Sequence, residues 1–314
     1  MTPTLRPGSL GEILDRTFEI YRSNFLVFLG IAALPFTGKM ALILLGFIVD
    51  AVVGQTTLSH LAKQGIDGEI AWFAARFAGA YFYFLMWPIF ATLVSQITLR
   101  NILNIRSAFL ECFARWRGWM LLGGIFWLIE SEIPRQLRNS SLLFHAWLTS
   151  PFWLTTILTT IEEFALIATL CLSIPAWSIE KVSISEAISR SWTLSKRQYR
   201  RMFMAWILQA GIAWSIGALV GGLLFLAFRV ILGNQWSYFS GPYATFIISV
   251  PAYVSSIIAA PVFPIALALI YYDQRIRLEG FDIEWMMEAA GMNAPVPAQT
   301  QEAELAGAPS ETRG

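Results

Sequence analysis

The chain has 314 residues, 56% of them hydrophobic and only 14% charged, with 13 Trp, 23 Phe and a mean hydropathy of +0.57. Soluble domains carry about 25% charged and roughly 45–50% apolar residues, so the composition argues against a soluble globule and predicts an all-α integral membrane protein. A net charge of +1 offers nucleic acid no basic surface, and the two cysteines, Cys112 and Cys171, are too few for a disulfide framework and are expected as free thiols.

The first 24 residues contain neither an apolar core nor a small-residue cleavage site, so no cleaved secretory signal is expected. They include SLGEILDRTFEIYRSNF, residues 9–25, whose apolar positions recur every three or four residues as on one face of a helix. Ser9 and Glu12 are spaced as a capping box, hydroxyl to the third helical amide and carboxylate back to the cap. Long apolar stretches follow at Phe25–Val53 and Ala71–Leu99. A second amphipathic stretch, NIRSAFLECFARWRGWM (residues 104–120), opens on the cap residue Asn104 and leads into a shorter apolar segment, Trp119–Ile133, and then into Phe152–Ile179. The third, ISEAISRSWTLSKRQYRRMF (residues 184–203), follows Ser183, which is spaced with Glu186 as a second capping box, and leads into Met202–Leu232 and Tyr243–Tyr272. Residues 291–314, rich in Ala, Pro, Glu and Gln, are expected to be a disordered cytoplasmic tail.

These stretches predict six transmembrane helices and three cytoplasmic interfacial amphipathic helices. Counting Trp119–Ile133 as a span makes the charge pattern coherent. Sixteen of the 22 Lys and Arg residues then fall on the side of the N-terminus and six elsewhere, which places both termini in the cytoplasm. Laid over one another, the three amphipathic stretches align Ile13, Thr17 and Phe18 with Ala108, Cys112 and Phe113 and with Ala187, Ser191 and Trp192. The membrane domain, residues 1–290, is therefore read as a pseudo-threefold repeat of amphipathic helix plus transmembrane hairpin, with units at about 9–99, 104–180 and 183–275. Ala213, Gly217 and Gly221 recur every four residues and predict close helix packing. Pro35, Pro88, Pro175, Pro251, Pro261 and Pro264 lie within the predicted spans and are expected to kink them.

Two groups of residues are candidates for function. Lys39, about 21 Å beyond Phe25 at 1.5 Å per residue, needs a partner in the outer half of the bundle, and Glu130, Glu162 and Glu163 are placed to supply one. Such a cluster is a structural ion pair or a polar site for a transporter or lipid-handling protein. Arg190, Lys196, Arg197, Arg200 and Arg201 form the basic face of the third amphipathic stretch, which anchors on anionic lipid or docks a cytosolic or membrane protein partner. There is no glycine-rich phosphate loop, no metal-spaced Cys or His pair and no nucleophile elbow, so no cofactor is expected.

The segment from Arg6 to Phe25, the third amphipathic stretch and above all IYYDQRIRLEGFDIEWM, residues 270–286, resemble the bacterial integral membrane family named for the membrane domain of glycerophosphoryl diester phosphodiesterase. The most specific part of the resemblance is Tyr271, Tyr272, Asp273, Arg275, Arg277, Glu279, Gly280 and Asp282. It implies a bacterial cytoplasmic-membrane location and, in relatives that carry one, a soluble catalytic barrel with a His-Arg pair. The two histidines of this chain, His60 and His145, are not followed by Arg, and no stretch is left for a barrel. The expected protein is therefore non-enzymatic, a scaffold or accessory to membrane or lipid-related partners. In the C-terminal motif, Gly280 is expected to break the last span, Asp282 to cap a short helix through Ile283, Met286 and Met287, and Asp273, Arg275 or Arg277 to pair with a repeat helix.

Overall fold

The computed structural model describes residues 7–53, 66–129, 168–196, 198–232 and 242–289. Every regular element among them is a helix. In chain order they are α1 (Leu10–Ser23), α2 (Phe25–Val53), α3 (Ile66–Arg100), α4 (Ile105–Ala114), α5 (Trp116–Trp127), α6 (Ser173–Ile179), α7 (Ile184–Ser195), α8 (Tyr199–Leu232), α9 (Pro242–Ala259), α10 (Val262–Glu279) and α11 (Phe281–Ala289). They fall into two compact units, Gly8–Tyr272 and the segment that begins at Asp273.

Three helices among the described residues are long and apolar enough to cross a bilayer: Tyr81–Arg100, Tyr199–Ala227 and Val250–Glu279. A fourth is counted if Leu10–Ser23 and Phe25–Gly38, bent by 86°, make one broken span. An all-helical fold with three to four candidate spans among the described residues is compatible with a membrane protein, and it does not reach the six spans expected. Much of the missing count concerns Phe152–Ile179, of which only the part from Ala168 is described, as a short apolar helix. Trp119–Ile133 is seen as α5 and the residues up to Ile129. His60, His145 and the tail 291–314 lie outside the described residues.

The first unit is built around α3, which packs against α2, α4, α5 and α6. Its buried face, from Phe84 through Leu85, Trp87, Ile89, Phe90 and Leu93 to Val94, is apolar but for Thr92, whose hydroxyl donates to the Pro88 carbonyl at 2.8 Å. The Trp87 ring lies 5.2 Å from Phe84, 5.9 Å from Phe126 of α5 and 5.5 Å from Phe263 of α10. For helices that cross a bilayer the surrounding lipid is as apolar as the core, so transfer from water contributes little to their association and close packing decides it. Ring pairs of this kind contribute about 0.5–1.5 kcal/mol each. Polar tips are tied to backbone: Trp119 Nε1 donates to the Leu85 carbonyl at 2.7 Å and Tyr81 Oη to the Met120 carbonyl at 2.9 Å. At Gly123 a side chain would sit 2.7 Å from Leu85 Cδ2, so α3 and α5 come within reach of one another here only with Leu85 as it is placed.

The expected small-residue seam is present between α8 and α9. Gly217 faces Ser255 and Gly221 faces Pro251, at 3.5 and 3.6 Å from where a Cβ would stand. Away from this contact α8 is bare: none of its most apolar stretch is buried, and Trp214 and Val230 are 80% and 84% exposed. The prolines act unevenly. Pro35, Pro88 and Pro251 are accommodated inside helices, whereas Pro261 sits in the break between α9 and α10.

Candidate functional site

Three short helices, α1, α4 and α7, each precede a longer one, and each starts at the expected cap, although only Ser9 and Glu12 form the reciprocal box and Ser183 caps without a return bond from Glu186. Ser9 accepts from the Glu12 amide at 3.3 Å while its own amide donates to Glu12 Oε2 at 2.7 Å. Asn104 Oδ1 accepts from the Ser107 amide at 3.0 Å, and Ser183 Oγ from the Glu186 amide at 3.3 Å. Caps of this type stabilise a helix by about 1 kcal/mol.

Residues at matching positions of the three helices meet matching environments. Ile13, Ala108 and Ala187 are buried, as are Thr17, Cys112 and Ser191 one turn later. The next residues along, Phe18, Phe113 and Trp192, are exposed at 39%, 64% and 54%. Small side chains thus let each helix approach its neighbours while a large aromatic is held outward. Burial pushes the Cys112 thiol up to about 12.

Each short helix also ends in a tight corner. Asn24 closes α1 through its amide, which donates to the Ile20 carbonyl, and opens α2 by accepting from the Phe28 amide at 3.2 Å. Arg115 does the same between α4 and α5 with a nearly identical backbone, φ −114° and ψ 36° against −124° and 31°. Between α7 and α8 the chain turns at Gln198, whose amide donates to Ser195 and whose carbonyl accepts from Met202. Asn24 and Gln198 each lie 14 residues past the first residue of their short helix and Arg115 lies ten past, so the middle corner comes about one turn early.

The strongest polar cluster among the described residues of the first unit centres on Glu180, at the end of α6. Arg190 of α7 approaches it with Nε 2.8 Å from Oε2 and Nη2 2.8 Å from Oε1, and the fully buried Tyr271 donates its hydroxyl to Oε1. Glu180 is 11% and Arg190 30% exposed at the side chain, so the pair is shielded from water far better than a surface ion pair. Nearby, Arg115 donates Nη1 to the Trp177 carbonyl at 2.8 Å and Nη2 to the Val182 carbonyl, with its guanidinium 4.4 Å above the Trp177 ring. Partial burial lowers its pKa. The chain between these anchors turns through Lys181, which has a positive φ of 60° and lies 3.6 Å from Glu111. Trp177 leaves no room at Gly118, where a Cβ would fall 2.8 Å from the indole nitrogen. An open recess of about 400 Å³ is bordered by Arg115, Trp116, Arg117, Gly118, Trp177 and Ser183.

Of the basic face expected on the third amphipathic stretch, Arg190 is turned inward to Glu180, a role that sequence alone did not assign to it. Lys196 is exposed and lies 5.8 Å from the Trp192 ring, Arg200 is exposed, Arg201 is half-buried, and Arg197 lies outside the described residues. Lys39 belongs to α2, but its side chain, like the whole of Glu130, Glu162 and Glu163, is outside them. The C-terminal motif divides. Tyr272 donates to Ser95 Oγ at 2.8 Å within the first unit. In the second unit Asp273 accepts from Arg277 Nε at 2.9 Å, and Arg275 reaches Glu279 at 3.1 Å with its guanidinium 3.9 Å from the Phe281 ring. Gly280, with φ 66°, ends α10 as expected. Asp282 does not cap α11: the helix begins at Phe281, which puts the carboxylate inside the first turn, where it still faces the positive end of the helix dipole.

No protein-family model, no curated protein and no solved structure matches this chain.

Proposed function

We propose that this chain is a non-enzymatic, multi-pass protein of the bacterial cytoplasmic membrane that gathers or assists membrane-associated partners through three short helices at the inner surface. In this reading both termini are cytoplasmic, six spans are arranged as three units of surface helix plus hairpin, and the protein belongs with the membrane-domain family that its C-terminal motif resembles. The observation that carries the proposal is the equivalence of α1, α4 and α7: capped starts, two buried positions and one exposed aromatic at the same register in all three. An outward Phe or Trp beside basic residues suits a helix lying in a lipid interface, where each cation near anionic headgroups contributes about 1 kcal/mol. The exposed cations Lys196 and Arg200 supply the face a cytosolic partner meets.

Photo-crosslinking in intact membranes tests this directly. A crosslinking amino acid at Arg200 is expected to trap a protein, and one at Phe113 to trap lipid. The protein adduct and its co-purification are expected to disappear when Arg197, Arg200 and Arg201 are changed to Glu. Isolation of the wild-type chain with lipid adducts alone, at both positions, refutes the scaffold.

A further inference from the structure

The recess beside the middle corner has features that neither the fold nor the proposed scaffold requires. Its floor is Trp177, 2% exposed, and its rim is Trp116, 51% exposed. Two guanidiniums border it. Arg115 uses one N–H on each of two backbone carbonyls, which holds the group in place and leaves its other donors unspent. Arg117 is exposed, lies 5.6 Å from the Trp116 ring, and makes no ion pair among the described residues. The acids on the flanking elements are otherwise engaged or offset: Glu180 by Arg190 and Tyr271, Glu111 by Lys181. Glu186 stands in the first turn of α7, whose N-terminus is already capped by Ser183, so that helix end does not supply the site. The volume, about 400 Å³, is in the range of small-molecule clefts, roughly 300–1,000 Å³.

We propose that this recess seats a phosphate group, presented by an anionic lipid headgroup or by a free phosphate ester, between Arg117 and the unspent donors of Arg115, with the attached glycerol or acyl linkage against the indoles. Guanidinium groups match phosphate oxygens in planar, paired hydrogen bonds, and indoles suit the amphipathic region just below a headgroup. The headgroup form rests on the inner-surface placement proposed above. The phosphate site itself does not.

The test uses the full-length chain in a neutral detergent, titrated separately with dioctanoyl phosphatidylglycerol, dioctanoyl phosphatidylcholine, glycerol 3-phosphate and inorganic phosphate, with binding read by native mass spectrometry and by thermal shift. Arg117→Gln is compared with Arg106→Gln, which removes the same charge from an exposed position on α4. Saturable binding of phosphatidylglycerol over phosphatidylcholine, weakened at least tenfold by R117Q and unchanged by R106Q, establishes the headgroup site. Saturable binding of glycerol 3-phosphate or phosphate with the same dependence on Arg117 establishes the anion site with a soluble ligand. Equal binding of both lipids, or equal loss in both variants, overturns the proposal. Placement is read separately, from a cysteine at Arg106. Labelling of that cysteine from outside intact cells sinks the inner-surface reading even where phosphate binding in detergent persists.

Discussion

Glu180 faces three donor atoms from two side chains, Arg190 and Tyr271, with one carboxylate, so its replacement separates charge from shape. Glu180→Gln keeps the size and removes the carboxylate charge that faces Arg190 in a shielded place, at a cost of about 1–3 kcal/mol. At roughly 2 °C per kcal/mol, the melting temperature in detergent is expected to fall by roughly 2–6 °C. The double variant with Arg190→Gln is expected to lose less than the sum, and strict additivity of the two rejects a coupled cluster. Cys112 makes a second prediction. A free thiol near 8.5 gains thiolate steadily between pH 7 and 8.5, but Cys112, pushed up to about 12, stays protonated across that range. Maleimide labelling of Cys112 in the folded chain is therefore expected to run on the order of a thousandfold slower than that of a free thiol up to pH 9, and labelling at the free-thiol rate contradicts the burial. The same shift favours the folded state at neutral pH and below, and that preference fades as pH climbs from about 8.5 towards 12. Neither Glu180 nor the anchoring role of Arg115 was legible in the sequence. Glu180 and Arg190 are ten residues apart, Tyr271 is 91 from Glu180, and Arg115 reaches 62 and 67 residues ahead, so no local pattern joins them.

At the scale of helices, local chemistry wrote much of the outcome. Helix α2 starts at Phe25, where hydropathy put the start of the apolar stretch, and all three caps fall where Ser9, Asn104 and Ser183 stand. Capping and apolar runs depend on neighbours in the chain, which is why they can be read without a structure. Glycine contacts do not. The seam at Gly217 and Gly221 repeats every four residues and was visible, yet it leaves ordinary van der Waals space for a methyl group. Gly118 and Gly123 sit in no repeat and leave none. Gly118→Ala drives a Cβ into a rigid, buried indole and is expected to destabilise by about 1–3 kcal/mol. Gly123→Ala meets the end of a Leu side chain that can turn aside, and its cost is expected to be smaller. Gly217→Ala is expected to be neutral or to stabilise by up to about 1 kcal/mol. Thermal unfolding of the three variants gives the order, and G217A as the worst of them contradicts this packing.

For the whole molecule the decisive measurement is topological. Asp15 of α1, Arg106 of α4 and Ser185 of α7 are exposed, and both native cysteines are buried, so single cysteines at these positions report on a quiet background. All three are expected to react with a membrane-impermeant maleimide only after the inner membrane is opened. Any one of them reacting in intact cells breaks the equivalence of the three short helices. The number of spans is the property least legible at this scale, because Trp119–Ile133 is too short by hydropathy and only the charge pattern made it the sixth. The corners have a mechanical consequence. At Asn24 and at Arg115 a single residue joins the short helix to the next, and one residue has only two soft torsions. A joint so short has no slack, so neither α1 nor α4 can swivel without levering the helix that follows it. In the placement proposed above, a change in bilayer thickness that tilts α2 or α5 is handed on to α1 or α4 through an elbow with nowhere to absorb it, whereas more than one residue separates α7 from α8.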